Sequence, residues 1–148
     1  MGRTIVVANQ KGGVGKTTTS INLSASLASL GKNVLVIDMD PQGNTTSGLG
    51  VEKDEVENTV YELLLGEKTI QECLQPEIFE NLSILPSNVN LAGAEIELVG
   101  VEGKEYLLKN ALDEIKEDYD FVIIDCPPSL NTLTINSMCA GDTVLVPI

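Results

Sequence analysis

A glycine-rich loop between an apolar run and a helical pattern constrains the fold of this chain more than any other feature. Residues 4–8 (Thr-Ile-Val-Val-Ala) form the apolar run, and residues 9–18 follow as Asn-Gln-Lys-Gly-Gly-Val-Gly-Lys-Thr-Thr. Apolar side chains then recur at mostly helical spacing over residues 17–30, and Gly31 supplies a C-terminal stop. A strand that leads through small residues directly into a helix is the arrangement of a phosphate-binding loop.

The residue types in this loop suit a nucleoside triphosphate bound with Mg²⁺. Gly12, Gly13 and Gly15 lack side chains, so backbone N–H groups can approach several phosphate oxygens. Lys16 directs a charge toward the β- and γ-phosphates, and the Thr17 hydroxyl is a direct ligand that Mg²⁺ accepts. The predicted nucleotide-binding residues are Lys11, Gly12, Gly13, Val14, Gly15, Lys16, Thr17 and Thr18, the last of which can reach the α-phosphate.

The loop departs from the general pattern G-x-x-x-x-G-K-[ST] in two ways. Gln10 occupies the position of the first glycine, and Lys11 is an additional lysine ahead of Lys16. A flexible turn between a strand and a helix would also account for the glycines. The Gly-Lys-Thr-Thr ending, placed between a predicted strand and a predicted helix, favours the phosphate-binding interpretation.

Two further predicted strands end in aspartates. Residues 33–37 (Asn-Val-Leu-Val-Ile) are followed by Asp38-Met-Asp-Pro-Gln-Gly-Asn44. Residues 121–124 (Phe-Val-Ile-Ile) are followed by Asp125-Cys-Pro-Pro-Ser129. Open α/β sheets bind ligands at the carboxyl ends of their strands, so both segments are expected beside the phosphates.

The aspartates are predicted to take different roles. Carboxylates beside a triphosphate are favourable only where they face the metal ion, its water ligands or the attacking water. We therefore expect Asp38 and Asp125 to contact Mg²⁺ through water, Asp125 as in a Walker B element, and Asp40 to position the attacking water. An ordinary turn that starts at Asp40 is the alternative for that residue.

Both aspartate segments are also predicted to be switch loops. Pro127 and Pro128 restrict the backbone after Asp125, as a segment that changes between a few defined positions requires. A rigid turn would carry the same two prolines, and the residues alone leave both interpretations open. The predicted switch residues are Asp40, Pro41, Gln42 and Gly43 in the first loop, and Asp125, Pro127 and Pro128 in the second.

The rest of the chain alternates short apolar strands with helical segments. Further strands are predicted at residues 82–85 and 143–146, and further helices at residues 59–65, 91–98, 106–116 and 131–139. Continuous apolar runs suit a mostly parallel sheet that is buried on both faces. We predict a three-layer, doubly wound α/β fold with P-loop NTPase topology, in a single domain of residues 1–148. No helix follows the last strand to cover it, so we expect the N-terminal part of a longer domain.

Composition limits the class of protein. The 148 residues are 43% hydrophobic and 21% charged, as in a globular domain. The chain has no apolar run near the roughly 20 residues that span a bilayer, and its N-terminus lacks the apolar run of a signal peptide. We therefore expect a cytoplasmic protein without membrane contact. The cysteines, Cys73, Cys126 and Cys139, are odd in number and lack metal-ligand spacing, so buried or free thiols are expected.

The chain is strongly acidic. Its net charge of −13 repels nucleic acid and anionic membranes. The acidic excess lies mostly between residues 52 and 120. Solvated helix faces explain this excess, and an acidic docking surface for a basic partner segment is the alternative.

The ordered set of motifs closely resembles the ParA/Soj family of chromosome and plasmid partitioning ATPases. Three segments carry the resemblance: Lys11-Gly-Gly-Val-Gly-Lys-Thr-Thr18, Asp38-Met-Asp-Pro-Gln-Gly-Asn44 and Asp125-Cys-Pro-Pro-Ser129. Thr46-Ser-Gly-Leu-Gly50, Leu91-Ala-Gly-Ala-Glu-Ile-Glu97 and Thr134-Ile-Asn136 also look like that family, so the resemblance runs through the whole chain.

The resemblance implies an ATP-dependent homodimer that acts as a switch. Two subunits would enclose two ATP molecules with Mg²⁺, and Lys11 of each would reach phosphate oxygens in the other. Catalysis would then depend on Asp40, Lys11 and Lys16. A ParB-type protein with a basic N-terminal segment would stimulate hydrolysis. The ATP dimer would bind DNA without sequence preference, and thus associate with the nucleoid, through basic residues that this chain does not contain.

Three other hypotheses are open from the sequence. A MinD-like regulator of the division site shares the two-lysine loop but acts on membranes, and residues 40–50 favour the partitioning family instead. An electron-transfer ATPase similar to the nitrogenase iron protein needs cysteines for an iron–sulfur cluster, and Cys126 and Cys139 do not match those positions. The chain could also be a nucleotide-binding module without turnover.

Replacing the two lysines is expected to separate their roles. Lys16→Ala should abolish tight MgATP binding, because the charge on the phosphates is lost. Lys11→Ala should preserve nucleotide binding by the monomer and impair ATP-dependent dimerisation, because a lysine supplied in trans acts only when two subunits meet. Titration with a fluorescent ATP analogue and light scattering measure the two effects. Equal loss of both in Lys11→Ala would show that this lysine acts in cis.

Overall fold

The computed structural model describes residues 2–8, 14–128 and 131–146, except the side chains of residues 14–16. Its strands are β1 (Arg3–Val7), β2 (Val34–Asp38), β3 (Gln75–Phe79), β4 (Leu82–Leu85), β5 (Phe121–Asp125) and β6 (Thr143–Leu145). Its α-helices are α1 (Val14–Ser29), α2 (Asn44–Gly48), α3 (Val60–Leu64), α4 (Ile70–Cys73), α5 (Ala94–Glu97), α6 (Leu107–Asp113) and α7 (Thr132–Ala140). Single 3₁₀ segments lie at Val89–Gly93, Lys104–Tyr106 and Lys116–Asp118.

The described strands form one sheet in the order β3-β4-β2-β5-β1-β6. Every neighbouring pair is parallel except β3 and β4, which are antiparallel. The chain passes from β1 through α1 to β2 and later inserts β5 between them, so the central strands are parallel neighbours joined by crossovers. The carboxyl ends of β1, β2 and β5 therefore meet at one edge.

Side chains on the central strands alternate between two apolar cores. Val36 and Ile123 belong to the core that packs against Ile21 and Ala28 of α1. Leu35 and Ile124, one residue away on the same strands, belong to the core that packs against α3, α4, α6 and α7. Both faces of the sheet are covered, which explains why these strands are apolar throughout rather than alternating with polar residues. The predicted three-layer, doubly wound fold is confirmed.

Most predicted elements are present, with boundaries that shift by up to three residues. The helix predicted at residues 59–65 starts after Thr59, whose side chain forms a capping box with Glu62. The helix predicted at residues 131–139 likewise starts after Asn131, whose side chain accepts a hydrogen bond from Thr134 N.

Several elements differ from the prediction. The helix predicted at residues 91–98 is a 3₁₀ segment followed by the short α5, and the one predicted at residues 106–116 is regular only over α6. The strand β3 and the helices α2 and α4 were not predicted. β3 contains Pro76, and such a strand is tolerated here because it is the antiparallel edge of the sheet. α2 and α4 are too short to show a helical period.

The strand predicted at residues 143–146 forms beside β1, at the opposite edge of the sheet. All three residues of β6 are exposed, whereas β2 is buried throughout.

A pair of isoleucine substitutions tests the assignment of the core. Ile123 in the central β5 is fully buried, whereas Ile96 in α5 is 79% exposed. Ile123→Ala is expected to lower the free energy of unfolding by about 2–5 kcal/mol, because it leaves a cavity between the sheet and α1. Ile96→Ala, the same change on the surface, should alter it by less than about 0.5 kcal/mol. Urea denaturation measures both, and equal effects would contradict the core described above.

Candidate functional site

The carboxyl edge of the sheet brings two buried carboxylates together. β2 ends at Asp38 and β5 ends at Asp125, and the two residues are register partners in adjacent parallel strands. Val7, the last residue of β1, is the partner of Asp125 on its other side. Neither aspartate is exposed to solvent. Both therefore lie beside the point where β1 leads toward the glycine-rich loop, as predicted from their positions in the sequence.

Three donors hold the carboxylate of Asp38. The backbone N–H and the hydroxyl of Thr46 both donate to its Oδ2, at 2.9 Å and 2.6 Å. The backbone N–H of Asp40 donates to Oδ1 at 3.1 Å. These bonds satisfy a buried anion, which would otherwise be costly.

The preceding threonine binds the other carboxylate. The hydroxyl of Thr45 donates to Asp125 Oδ2 at 2.5 Å. Thr45 and Thr46 are consecutive in the short helix α2 and are both fully buried. One turn of helix therefore positions the ends of two strands.

The electrostatics of this pair are unfavourable in the ligand-free protein. Burial, and then the neighbouring charge of Asp125, raise the pKa of Asp38 from 3.8 to about 7, against the opposing effect of its hydrogen bonds. A bound cation would relieve this repulsion. Oxygen ligands of this kind suit a hard divalent cation such as Mg²⁺.

The first predicted switch loop is a tight turn. Asp40 Oδ1 accepts a hydrogen bond from Gln42 N at 3.0 Å, and its carbonyl oxygen accepts one from Gly43 N at 2.9 Å. Gly43 has a φ of 64°, which favours glycine. Lys53 packs over Gly43 and donates from Nζ to the Gln42 carbonyl at 2.8 Å. The turn-forming role considered for Asp40 is therefore observed, and its role toward an attacking water stays a prediction.

A residue from β4 also contacts this loop. Ser87 follows β4, and its hydroxyl donates to the carbonyl oxygen of Asp40 at 2.7 Å. Its backbone N–H donates to Thr46 Oγ1 at 3.1 Å. Ser87 is fully buried, so both bonds are shielded from water. The site thus draws on three neighbouring strand ends, β4, β2 and β5.

The second predicted switch loop begins within the sheet. Cys126 N donates to the Val7 carbonyl at 3.0 Å, which extends the ladder between β5 and β1 by one residue. Cys126 is fully buried, in agreement with its interpretation as a structural thiol. Pro127 is buried and Pro128 is exposed. Beyond residues 129 and 130, which lie outside the described residues, the backbone N–H of Thr132 in α7 donates to the carboxylate of Glu95.

The structure describes only part of the glycine-rich loop. Lys11, Gly12 and Gly13 lie outside the described residues. Val14, Gly15 and Lys16 form the first turn of α1, where the backbone alone is described. Thr17 is half-buried and Thr18 is exposed near the start of that helix. Thr17 and Thr18 therefore belong to the first turns of α1, the helix that follows β1 in the chain.

No group of three or more His, Cys, Asp or Glu side chains that could hold a metal ion occurs within residues 2–8, 14–128 and 131–146. A metal ion at this edge would therefore need ligands from water or from a bound phosphate in addition to the described side chains. Asp38 and Asp125 alone do not complete a coordination shell.

Sequence reasoning missed Thr45, Thr46 and Ser87 as site residues. Both threonines occur within the segment that follows Asp38, yet their hydroxyl groups were given no role. Ser87 comes two residues after β4, and the rule that strand ends line the ligand edge could have identified it. The missing information was that β4 is the neighbour of β2.

The coupling between the two carboxylates can be tested by titration. In the ligand-free protein, the carboxyl group of Asp38 is expected to titrate near pH 7. The substitution Asp125→Asn should lower the pKa of Asp38, because it removes the neighbouring charge. Because the folded state keeps this proton to higher pH than the unfolded state, stability should fall as pH rises from about 4 to about 7. Carbon-13 NMR follows the titration.

Asp113 provides the control for the titration of Asp38. Asp113→Asn alters a half-exposed carboxylate paired with Lys116 and should leave the pKa of Asp38 unchanged. A pKa of Asp38 at the ordinary value of 3.8 in the ligand-free protein would contradict the electrostatic description.

Comparisons of sequence agree with this geometry. The sequence profile of the AAA domain family matches residues 2–148. The sporulation initiation inhibitor protein Soj of Bacillus subtilis is 53% identical over 148 residues, which cover all of this chain and 58% of Soj. The chromosome partitioning protein ParA of Myxococcus xanthus is 51% identical over 148 residues, all of this chain and 52% of ParA. The chain thus spans a little over half the length of these relatives.

A solved structure shows the same fold. The crystal structure of cobyrinic acid a,c-diamide synthase from Mycobacterium smegmatis, with a bound ATP analogue and magnesium, superposes with a TM-score of 0.94 at 46% sequence identity. The match covers all of this chain and 60% of that one. With the sequence profile, the Soj and ParA relatives and the arrangement of strands and aspartates in agreement, this chain belongs to the ParA/Soj family of partitioning ATPases.

Proposed function

We propose that this protein binds ATP with Mg²⁺ and hydrolyses it to ADP and phosphate. The observation that carries the proposal is the pair of buried carboxylates, Asp38 and Asp125, on adjacent parallel strands at the carboxyl edge of the sheet. Such a pair is unfavourable alone and becomes favourable beside a cation. Membership of the ParA/Soj family and the ATP analogue and magnesium bound to the M. smegmatis protein support the same conclusion.

The described residues fit Mg²⁺ bound together with a nucleotide. Asp38 and Asp125 offer oxygen atoms, which this ion prefers, and their mutual repulsion would fall on binding a cation. Thr17 would be the direct protein ligand, and the two aspartates would hold water ligands of the ion. Bound Mg²⁺ would supply neutralisation of the charge on the phosphates.

The remaining roles follow from the position of each residue. Backbone N–H groups of Gly12, Gly13, Val14 and Gly15, with Lys16 and Thr18, would bind the phosphates at the start of α1. Asp40 would orient the attacking water, since its backbone N–H is held by Asp38 and its carbonyl oxygen by Ser87. Holding reactants in one orientation accounts for much of the catalysis of phosphoryl transfer.

We further propose that ATP binding and hydrolysis switch the protein between a dimer and a monomer in chromosome or plasmid partitioning. Lys11 would contact the nucleotide of the partner subunit, and a ParB-type protein with a basic N-terminal segment would stimulate hydrolysis. The net charge of −13 favours a basic partner. The same charge repels DNA, so non-specific DNA binding would depend on residues outside this chain. The name of the M. xanthus relative, chromosome partitioning protein ParA, supports the partitioning role.

Those relatives favour partitioning over the MinD-like alternative. The M. smegmatis protein carries the name of a diamide synthase, but the two curated relatives match this chain at higher identity, and we follow them. No helix in the described parts of the chain is long and apolar enough to cross a membrane. We propose a cytoplasmic protein that associates with the nucleoid in its ATP-bound dimer.

Substitutions of Asp40 test the catalytic proposal. Asp40→Ala should retain ATP binding, lose hydrolysis by about a hundredfold or more, and accumulate the dimer. Asp40→Asn keeps an acceptor for Gln42 N but removes the charge, so it should lose hydrolysis equally. Phosphate release and light scattering with ATP or ADP measure these effects.

The exposed Asp54→Ala serves as the control and should behave as wild type. Turnover that survives in both Asp40→Ala and Asp40→Asn would refute the role proposed for Asp40 in hydrolysis. Absence of ATP hydrolysis in the wild-type protein, with a ParB-type partner and DNA supplied, would refute the proposed function.

A further inference from the structure

A chain of hydrogen bonds connects the end of β4 to Asp38 through a single side chain. The backbone N–H of Ser87 donates to Thr46 Oγ1 at 3.1 Å. Thr46 Oγ1 in turn donates to Asp38 Oδ2 at 2.6 Å. All three residues are fully buried, so water does not compete for these bonds.

The direction of this chain is fixed. A threonine hydroxyl has one proton to donate and can rotate it among several directions. Because Ser87 N–H occupies an acceptor position on Thr46 Oγ1, the proton of that hydroxyl is directed to the carboxylate instead. Ser87 thus orients Thr46, and Thr46 orients Asp38.

The same contacts make the two oxygens of Asp38 different. A carboxylate can accept about four hydrogen bonds, two at each oxygen. Thr46 fills both positions at Oδ2 with its N–H and its hydroxyl. Asp40 N fills one position at Oδ1, which leaves that oxygen able to accept one more bond. Oδ1 is therefore the oxygen of Asp38 that can accept a further hydrogen bond.

We propose that Thr46 is a positioning residue that presents Oδ1 of Asp38 to the Mg²⁺-bound nucleotide. This inference rests on the proposed function, because it assumes that Asp38 holds a water ligand of the ion. Thr46 touches neither the phosphates nor the attacking water in this role, and it acts only through Asp38. Groups that hold metal-binding carboxylates commonly change metal affinity or activity about 10- to 100-fold when they are removed.

The position of Thr46 distinguishes this role from general packing. Its contacts join α2, β2 and the segment after β4, and they end on Asp38, one of the two carboxylates expected to hold water ligands of the ion. Thr4 is also a buried threonine, but it lies at the start of β1, at the opposite end of the sheet. Thr4 therefore provides a matched comparison for the loss of a buried hydroxyl.

The test measures how strongly Mg²⁺ increases the affinity for N-methylanthraniloyl-ATP, in full-length wild type and in the variants Thr46→Val, Thr46→Ser and Thr4→Val. Thr46→Val keeps the shape of the side chain and removes the hydroxyl. We expect unchanged affinity without Mg²⁺ in every variant. The factor by which Mg²⁺ increases the affinity, called the Mg²⁺ enhancement, should fall about tenfold in Thr46→Val. It should be preserved in Thr46→Ser and Thr4→Val.

Four outcomes would contradict the role of Thr46 or the function on which it rests. A full Mg²⁺ enhancement in Thr46→Val, or the same loss in Thr46→Ser or Thr4→Val, would overturn the role of the Thr46 hydroxyl. No enhancement in the wild-type protein would overturn both this inference and the Mg²⁺ site. Mg²⁺-dependent binding without ATP hydrolysis would refute the proposed ATPase, while the variants would still decide the role of Thr46.

A second measurement avoids any risk that Thr46→Val fails to fold. In the wild-type protein with ADP bound, addition of Mg²⁺ should shift the backbone amide resonances of Thr46 and Ser87 in nitrogen-15 NMR spectra. The amide of Glu77, which donates to Ser83 Oγ in the β3–β4 hairpin, should not shift. Unchanged resonances of Thr46 and Ser87 would overturn the proposal.

Discussion

Parallel hydrogen bonding between β2 and β5 places Asp38 opposite Asp125, and the architecture of the site follows from that register. A shift of either strand by one residue would turn the carboxylate of that strand toward the other face of the sheet, away from α1. The register itself is held by apolar cores on both faces, to which the strands contribute alternate side chains. Burial of hydrocarbon therefore stabilises an arrangement of charges that would be unfavourable by itself.

The helix α2 shows how this unfavourable arrangement is stabilised. A five-residue helix has little stability alone, because the conformational entropy lost in nucleating it exceeds the stabilisation from the hydrogen bonds of one turn. Here its two consecutive threonines bind different strand ends, Thr45 at Asp125 and Thr46 at Asp38. Gly43, with its positive φ, permits the sharp turn into the helix. Ser87, which follows β4, donates a hydrogen bond to Thr46 in the helix. The same hydrogen bonds therefore stabilise both the helix and the two carboxylates.

The sequence was sufficient for features that depend on neighbours along the chain, and insufficient for those that depend on neighbours across the sheet. Continuous apolar runs located the buried strands, and terminal aspartates marked their carboxyl ends. By contrast, the bond between Ser87 and Thr46 joins residues 41 positions apart and depends on the pairing of β4 with β2. The edge strand β3 was missed because Pro76 and its exposed residues lack the apolar pattern that burial imposes on interior strands.

The ladder of the central sheet continues one residue past its strands on both sides of Asp125. Met39 N donates to the Asp125 carbonyl at 2.9 Å, and Cys126 N donates to the Val7 carbonyl at 3.0 Å. These bonds attach the first residue of each loop, Met39 and Cys126, to the central strands of the sheet. Any hinge must therefore lie beyond Asp40 in the first loop, because its N–H and carbonyl oxygen are both bonded, and beyond Cys126 in the second. The bases of the two loops therefore cannot separate without breaking hydrogen bonds at the centre of the sheet.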